Sequence, residues 1–186
     1  MKKTWIAIAI AVSATALYAF ISPKGATAQQ ANTEEVAIKW YTWDEAIAAN
    51  AKKPKKIFID LYTEWCGYCK KMDANTFKDP AVAKYMNEHF YAVKFDAEQK
   101  GDITYNDHTF KYHGNVGRNG IHELAYSLLD GRMSYPSFVY MDEKIERISI
   151  SPGYKEPAML LNELRFTAED HYKTKTWQDY QSTAKQ

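Results

Sequence analysis

The sequence predicts an α/β fold, with a mixed central sheet, helices on both faces, and an inserted loop before the third main helix. Three observations carry this expectation. Strand-like and helix-like stretches alternate along most of the chain, two strand-like stretches then follow each other across a short polar turn, and Ile57-Phe58-Ile59-Asp60-Leu61-Tyr62 is apolar on both parities. Alternation calls for crossovers between parallel strands, a closing hairpin adds antiparallel ones, and a strand apolar on both sides must be covered on both.

The first 28 residues read as an address. Lys2 and Lys3 precede an uncharged stretch of 17 residues from Trp5 to Ile21, and Ala26-Thr27-Ala28 places small residues before Gln29. This pattern predicts a secretory signal over 1–28 and a periplasmic or secreted product. The alternative is an anchor retained through residues 5–21, whose length sits at the lower edge of what crosses a bilayer. A polar, flexible lead-in over 29–35 should follow, then one domain over 36–167 and a tail over 168–186.

Within the domain, Val36 to Tyr41 reads as a short strand. Thr42-Trp43-Asp44-Glu45 is a capping box, and the helix it opens should run to about Lys53, where Pro54 stops it. After the apolar strand at 57–62, residues from Cys66 to about Phe77 suit a helix, and Asp79-Pro80 marks a second helix start. Tyr91 to Phe95 is strand-like. Residues 97–120 lack either periodicity and are rich in Gly, Asn, Asp and His, which predicts an extended loop or insertion. Gly114, Gly117 and Gly120 within it are read as turn residues. Ile121 to Leu129 is helical in pattern and ends at Asp130-Gly131. Ser137–Met141 and Ile145–Ile150 form the hairpin around Asp142-Glu143-Lys144, and Pro157 opens a last helix to about Phe166.

Charge excludes one class of partner. Three of the 24 basic side chains and none of the 23 acidic ones fall in the leader, so the remainder carries 21 against 23. A near-neutral chain without basic blocks offers no electrostatic footprint for nucleic acid. Lys52, Lys53, Lys55 and Lys56 cluster around Pro54 and read as the solvated end of a helix.

The chain has two cysteines, Cys66 and Cys69, in the run Trp65-Cys66-Gly67-Tyr68-Cys69-Lys70. A bridge closing so short a loop constrains the unfolded chain little, so chemistry explains the pair better than stability does. A strand running straight into Cys-x-x-Cys puts the first cysteine at a helix N-terminus, where free amides and the helix dipole stabilise a thiolate. Cys66 is thus the expected nucleophile and Cys69, one turn later, the resolving thiol. Half of a zinc site, completed by His108, His113 or His122, is the alternative, but no second tight pair of ligands is present and no metal is expected. Asp60 interrupts the apolar strand six residues before Cys66. A carboxylate buried there would have a raised pKa and suit a proton acceptor.

The run from Ile59 to Lys70 resembles the active-site strand and helix of thioredoxins, with an acid six positions before the nucleophile and a Trp immediately before it. The wider stretch from Trp40 to Glu98, with Lys71-Met72 after the motif, is similar to secreted bacterial thioredoxin-like proteins related to the carboxy-terminal domain of transmembrane disulfide reductases. The resemblance implies a thioredoxin-like fold and a role for Ser134-Tyr135-Pro136-Ser137: Pro136 cis and facing the cysteines, with the backbone of Tyr135 pairing with a substrate strand. It implies catalysis by Cys66, Cys69 and Asp60, and substrate contact through Trp65, Gly67, Tyr68, Tyr135 and Pro136. Tyr68 departs from the proline of thioredoxins, residues 97–120 lengthen the chain, and the resemblance leaves open whether Lys94 pairs with Asp60.

The expected function is thiol-disulfide exchange with protein substrates in the cell envelope, as a reductase, by a monomer using a redox-active disulfide, a membrane electron donor and no other cofactor. The runners-up are an isomerase or oxidase, and a thioredoxin-scaffold binding module whose cysteines sense redox state.

Overall fold

The computed structural model describes residues 36–184; the leader, the possible anchor at 5–21 and the lead-in lie outside the described residues. The first elements are a short strand, β1 (Trp40–Tyr41), and a helix, α1 (Trp43–Lys52). The expected strand from Val36 is only these two residues. The capping box is present in full: the Thr42 amide donates to Glu45 Oε2 at 2.8 Å and the Glu45 amide to Thr42 Oγ1 at 3.2 Å.

Strand β2 (Lys56–Tyr62) follows, then helix α2 (Gly67–Ala74), a 3-10 turn at Thr76–Lys78, helix α3 (Pro80–His89) and strand β3 (Phe90–Asp96). The helix expected to reach Phe77 ends early, because Asn75 leaves helical dihedrals (φ −122, ψ −72) and the Thr76 hydroxyl turns to the Lys155 carbonyl at 2.7 Å. Asp79 caps α3 as expected, its carboxylate accepting from the Ala81 and Val82 amides. After the inserted segment come helix α4 (Glu123–Leu128), strands β8 (Ser137–Met141) and β9 (Arg147–Pro152), and helices α5 (Pro157–Ala168) and α6 (Trp177–Ala184). The last of these lies in the stretch expected to be a tail, where Trp177 and Tyr180 pack their rings on Phe166.

The central sheet has the order β1-β3-β2-β8-β9. β1 and β2 flank β3 in parallel, while β8 runs antiparallel to both β2 and β9. The doubly apolar strand is thus the central one, and its alternation divides the core in two. Ile57, Ile59 and Leu61 face a cluster with Trp43 and Ala46 of α1 and Leu124, Ala125 and Leu128 of α4. Phe58 faces Met72 of α2, Val82, Ala83 and Met86 of α3, and Leu160 and Leu164 of α5. Each of these β2 side chains is fully buried, which contributes about 1.5–3 kcal/mol apiece. Asp60 shares the parity of Phe58, so it lies on the same side of the sheet as α2.

Three further expectations are corrected. Residues 97–120 are an insertion, as one of the two readings had it, but not an extended loop: β4 (Ile103–Tyr105) and β5 (His108–Phe110) form a hairpin, and β6 (Tyr112–His113) pairs with β7 (Ile121–His122). Asn106 and Asp107 make the two-residue turn of that hairpin with φ of 50 and 62, a conformation their short polar side chains tolerate. The helix expected from Ile121 begins two residues later, since Ile121 and His122 are held in β7 and His122 serves as the cap of α4. Lys56 is not solvated but buried, with its ammonium 2.8 Å from Glu143 and 2.9 Å from Asp170. Those two carboxylates, from the β8–β9 turn and the end of α5, converge on the start of β2.

Candidate active site

β2 ends at Tyr62, and four residues later Cys66 occupies the N-cap of α2. The cap is the sulfur itself: Cys66 Sγ accepts the Cys69 amide at 3.1 Å, as an oxygen would in a Ser or Asp cap. Cys66 and Cys69 are joined in a disulfide with their Cα atoms 5.3 Å apart, and both are buried. Gly67 and Tyr68 between them are exposed, with open space where a Cβ on Gly67 would stand. The Tyr68 ring lies 6.0 Å from that of Tyr154, over which the Lys71 ammonium sits at 4.1 Å.

On the α2 side of the sheet, Asp60 is 1% exposed and its Oδ2 meets the Lys94 ammonium at 2.7 Å. Lys94 also pairs with Asp73 of α2. Asp60 Oδ1 is buried with no hydrogen-bond partner among the described residues. Burial pushes the Asp60 pKa up from 3.8 to about 6, against the pull of Lys94 and with a smaller push from Asp73. Lys94 is itself held above its ordinary value, because the two carboxylates outweigh its own burial. The open question of the Asp60–Lys94 pair is answered by register: the two residues are direct neighbours on parallel strands.

The third component arrives from β8. The Tyr135–Pro136 bond is cis, and Ser137 after it pairs with Leu61 near the end of β2. The turn is fixed by the Ser137 hydroxyl donating to the Ser134 carbonyl at 2.6 Å and by the Gly153 amide donating to the Pro136 carbonyl at 2.8 Å. Tyr135 meets the edge of Trp65 at 6.0 Å, which brings the cis turn beside the cysteine motif. Burial, with Glu98 and Asp96 nearby, raises the Tyr135 hydroxyl pKa to about 12. Trp65 is 59% exposed, and its indole N–H donates to Glu98 Oε1 at 2.7 Å.

The structure joins Cys66 to Cys69, sets Trp65 against Tyr135 of the cis turn with Pro136, and ties Asp60 through Lys94 to Asp73 on the helix that Cys66 caps, with Gly67 and Tyr68 exposed between the cysteines. Sequence reasoning missed Asp73 and Glu98. Asp73 stands four residues after Cys69, one turn along the same helix, and that spacing was a usable signal. Nothing in the local sequence marks Glu98, whose partners lie 33 and 21 residues away.

The histidines considered as metal ligands go elsewhere. His108 and His113 meet Glu123 at 3.0 and 3.7 Å. His122 accepts the Leu124 amide on Nδ1 and so carries its proton on Nε2, donating to the Gly101 carbonyl at 3.0 Å. Burial lowers its pKa, in keeping with a neutral ring. Among the described residues no group of three or more His, Cys, Asp or Glu side chains is placed to hold a metal ion.

A family model, Thioredox_DsbH, described as a protein of unknown function, DUF255, matches residues 26–154. The chain belongs to this family. The matched span of this Thioredox_DsbH chain takes in the cysteine motif, the insertion and the cis turn. Two solved structures share its thioredoxin fold. One, a DsbH oxidoreductase, has a TM-score of 0.54 at 15% identity over 78% of this chain and 94% of that one. The other, a thioredoxin-fold protein from Helicobacter pylori, has a TM-score of 0.54 at 17% identity over 83% and 91%. A thiol:disulfide interchange protein DsbD of Vibrio vulnificus (strain YJ016) is 41% identical over 68 residues, which are 33% of this chain and 11% of that protein. The chain spans about a tenth of the length of the curated relatives it matches.

Proposed function

We propose that this protein is a thiol-disulfide oxidoreductase that reduces protein disulfides in the cell envelope. The observation that carries the reading is the Cys66–Cys69 disulfide at the N-terminus of α2, beside the cis Tyr135–Pro136 turn, on a helix whose Asp73 reaches the buried Asp60–Lys94 pair.

In the reduced protein, the Cys66 thiolate attacks one sulfur of a substrate disulfide, and the other substrate sulfur leaves as a thiolate. The free amides of the first turn of α2 favour the charge on Cys66. Cys69 then loses its proton and attacks Cys66, releasing the second substrate thiolate. Two electrons have passed to the substrate, and Cys66–Cys69 is oxidised. Asp60 is the proposed acceptor for the Cys69 proton: it shares the α2 side of the sheet, has an oxygen with no partner among the described residues, and has a pKa raised to about 6, near the working range of a general base. Trp65, Tyr68, Tyr135 and the exposed Gly67 line the surface where the substrate chain lies, with Pro136 buried beneath it.

The direction rests on charge. Pairs of this type span potentials of about −270 to −120 mV, and stabilising the reduced thiolate makes a pair more oxidising. Asp60 and Asp73 together outnumber Lys94, so the group behind the cysteines is net anionic when all three are ionised. That opposes a thiolate and favours a reducing pair. The composition of residues 1–28 supports export, and an exported reductase requires an electron donor that reaches across the membrane. Among the described residues no helix is long and apolar enough to cross one.

The test is insulin reduction with a regenerating reductant, together with the potential of the pair. Turnover by the wild type, its loss in Cys66→Ser, and a potential near the thioredoxin end of the range are expected. Undiminished turnover in Cys66→Ser would overturn the enzyme reading. A potential near −120 mV would replace reductase by oxidase or isomerase.

A further inference from the structure

The insertion closes a cleft against the redox motif. Its tip, Val116 to Gly120, faces Trp65 and Tyr135 with Glu98 and Met133 between, enclosing about 610 Å³. A volume of this order holds one large side chain with room to spare. Because Trp65 precedes Cys66 and Tyr135 precedes the cis proline, whatever occupies the cleft is continuous with the chain presented to Cys66.

The chemistry of the walls says what fits. Glu98, the acid of the polar wall, is half-buried and already engaged by the Trp65 indole and by the Asn119 amide at 3.2 Å. A polar occupant would gain little by displacing those bonds. The apolar faces, in contrast, have no cover: Trp65 is 59% exposed and Met133 43%, and both border the cleft with Val116 and the Tyr135 ring. Large exposed apolar side chains gathered at one place mark a contact surface. The cleft is also preformed. Gly120 has φ +76, and a Cβ there would lie 2.3 Å from the Tyr112 hydroxyl and 2.8 Å from Gly114 Cα, so the tip is packed down on Tyr112. Tyr112 in turn donates to the Asn119 carbonyl. A wall held in place costs little ordering entropy on binding.

We propose that the insertion forms the second wall of the substrate groove and that the cleft receives a large apolar side chain of a protein substrate, within two residues of the cysteine engaged by Cys66. This selection rests on the oxidoreductase reading above. It makes Met133 and Val116 specificity-determining residues, and it gives the segment at 97–120 a role in choosing among disulfides.

The test uses synthetic disulfide peptides that are identical except for one Trp, placed at each of the two positions on either side of the cysteine, or Ser throughout. Hydroxyethyl disulfide, which has no side chain for the cleft, reports the chemistry separately. Burying one such side chain against the cleft walls should favour the best Trp peptide over the Ser peptide by about tenfold in kcat/KM. In Met133→Asp, an exposed position that tolerates substitution, the ratio should fall to within about twofold, and Val116→Ser on the opposite wall should lower it as well. The proposal is overturned if no Trp position is preferred by the wild type, or if the preference survives in both variants. Failure to reduce hydroxyethyl disulfide would instead remove the oxidoreductase reading, and the substrate groove with it.

Discussion

Two carboxylates are buried on the same side of the central sheet, each facing a lysine, and they are satisfied very differently. Glu163 of α5 receives the Ser151 hydroxyl on Oε1 at 3.0 Å and the Tyr140 hydroxyl on Oε2 at 3.1 Å, with the Lys155 ammonium 3.9 Å away. Asp60 has one oxygen on Lys94 and the other without a hydrogen-bond partner among the described residues. Burial raises both pKa values, and Lys94 and Lys155 each counter it for their own partner. Neutral hydroxyls on both oxygens make Glu163 a structural tie between β8, β9 and α5. An acid with one oxygen left unpartnered, on the strand that runs into a redox disulfide, is instead kept short of partners, which costs stability and leaves a site for a proton.

The sharpest way to break this contrast is Asp60→Asn. Reduction of insulin should fall by about a hundredfold at pH 7, the order of effect expected when a general base is removed, and the step in the pH–rate profile near pH 6 should disappear. Stability should move the other way. The folded pKa of Asp60 lies above its ordinary value of 3.8, so the folded protein holds this proton more tightly than the unfolded chain. Stability is therefore lost as pH rises from about 4 to about 6, and the full penalty stands above that. Asn carries no such charge, and the variant should unfold at neutral pH with a free energy higher by about 3 kcal/mol. A variant with wild-type activity and an unchanged pH profile would remove Asp60 from the mechanism.

Glu163→Ala should show the reverse signature. It strips acceptors from the buried Tyr140 hydroxyl and from Ser151, and takes from Lys155 its nearest carboxylate. Urea unfolding should register a loss of about 2 kcal/mol, with kcat/KM for insulin unaffected. If its activity falls as far as that of Asp60→Asn, the distinction between a tie and a proton site is lost.

How much of this was legible in the sequence follows the range over which each feature is determined. Short-range signals read true: the Thr42–Glu45 capping box, the Asp79-Pro80 start, the doubly apolar 57–62 strand and the cysteine at a helix entrance are all decided within a few residues. The strands within residues 97–120 are illegible because they are two or three residues long, too short to show a period, although Asn106-Asp107 is a turn dipeptide that points to the hairpin. Ile121 and His122 look helical by pattern and are claimed by pairing with β6, a tertiary override of local preference. The burial of Lys56 is invisible locally because its partners, Glu143 and Asp170, lie far along the chain. The same distance hid Glu98 from the candidate site, while the Asp60–Lys94 contact needed the register of two parallel strands before it could be decided.

The smallest and most specific effect concerns Asp73, which shares Lys94 with Asp60 from the rim of α2. Its carboxylate acts on Asp60 in two ways with one sign: its negative charge opposes ionisation of Asp60, and it draws on the cation that would otherwise serve Asp60 alone. Asp73→Asn removes both effects. Asp60 should then ionise more readily, and the acid limb of the pH–rate profile should move below the wild-type midpoint near pH 6. Because the Asp73 side chain is 46% exposed, solvent and salt screen it, so the shift should be modest and should shrink as ionic strength rises. The potential of the cysteine pair should also become less reducing, since one negative charge behind the thiolate is gone. A shift to higher pH, or none at low salt, would mean that Lys94 is committed to Asp60 whatever Asp73 does, and the three charges would then have to be treated as a pair and a bystander.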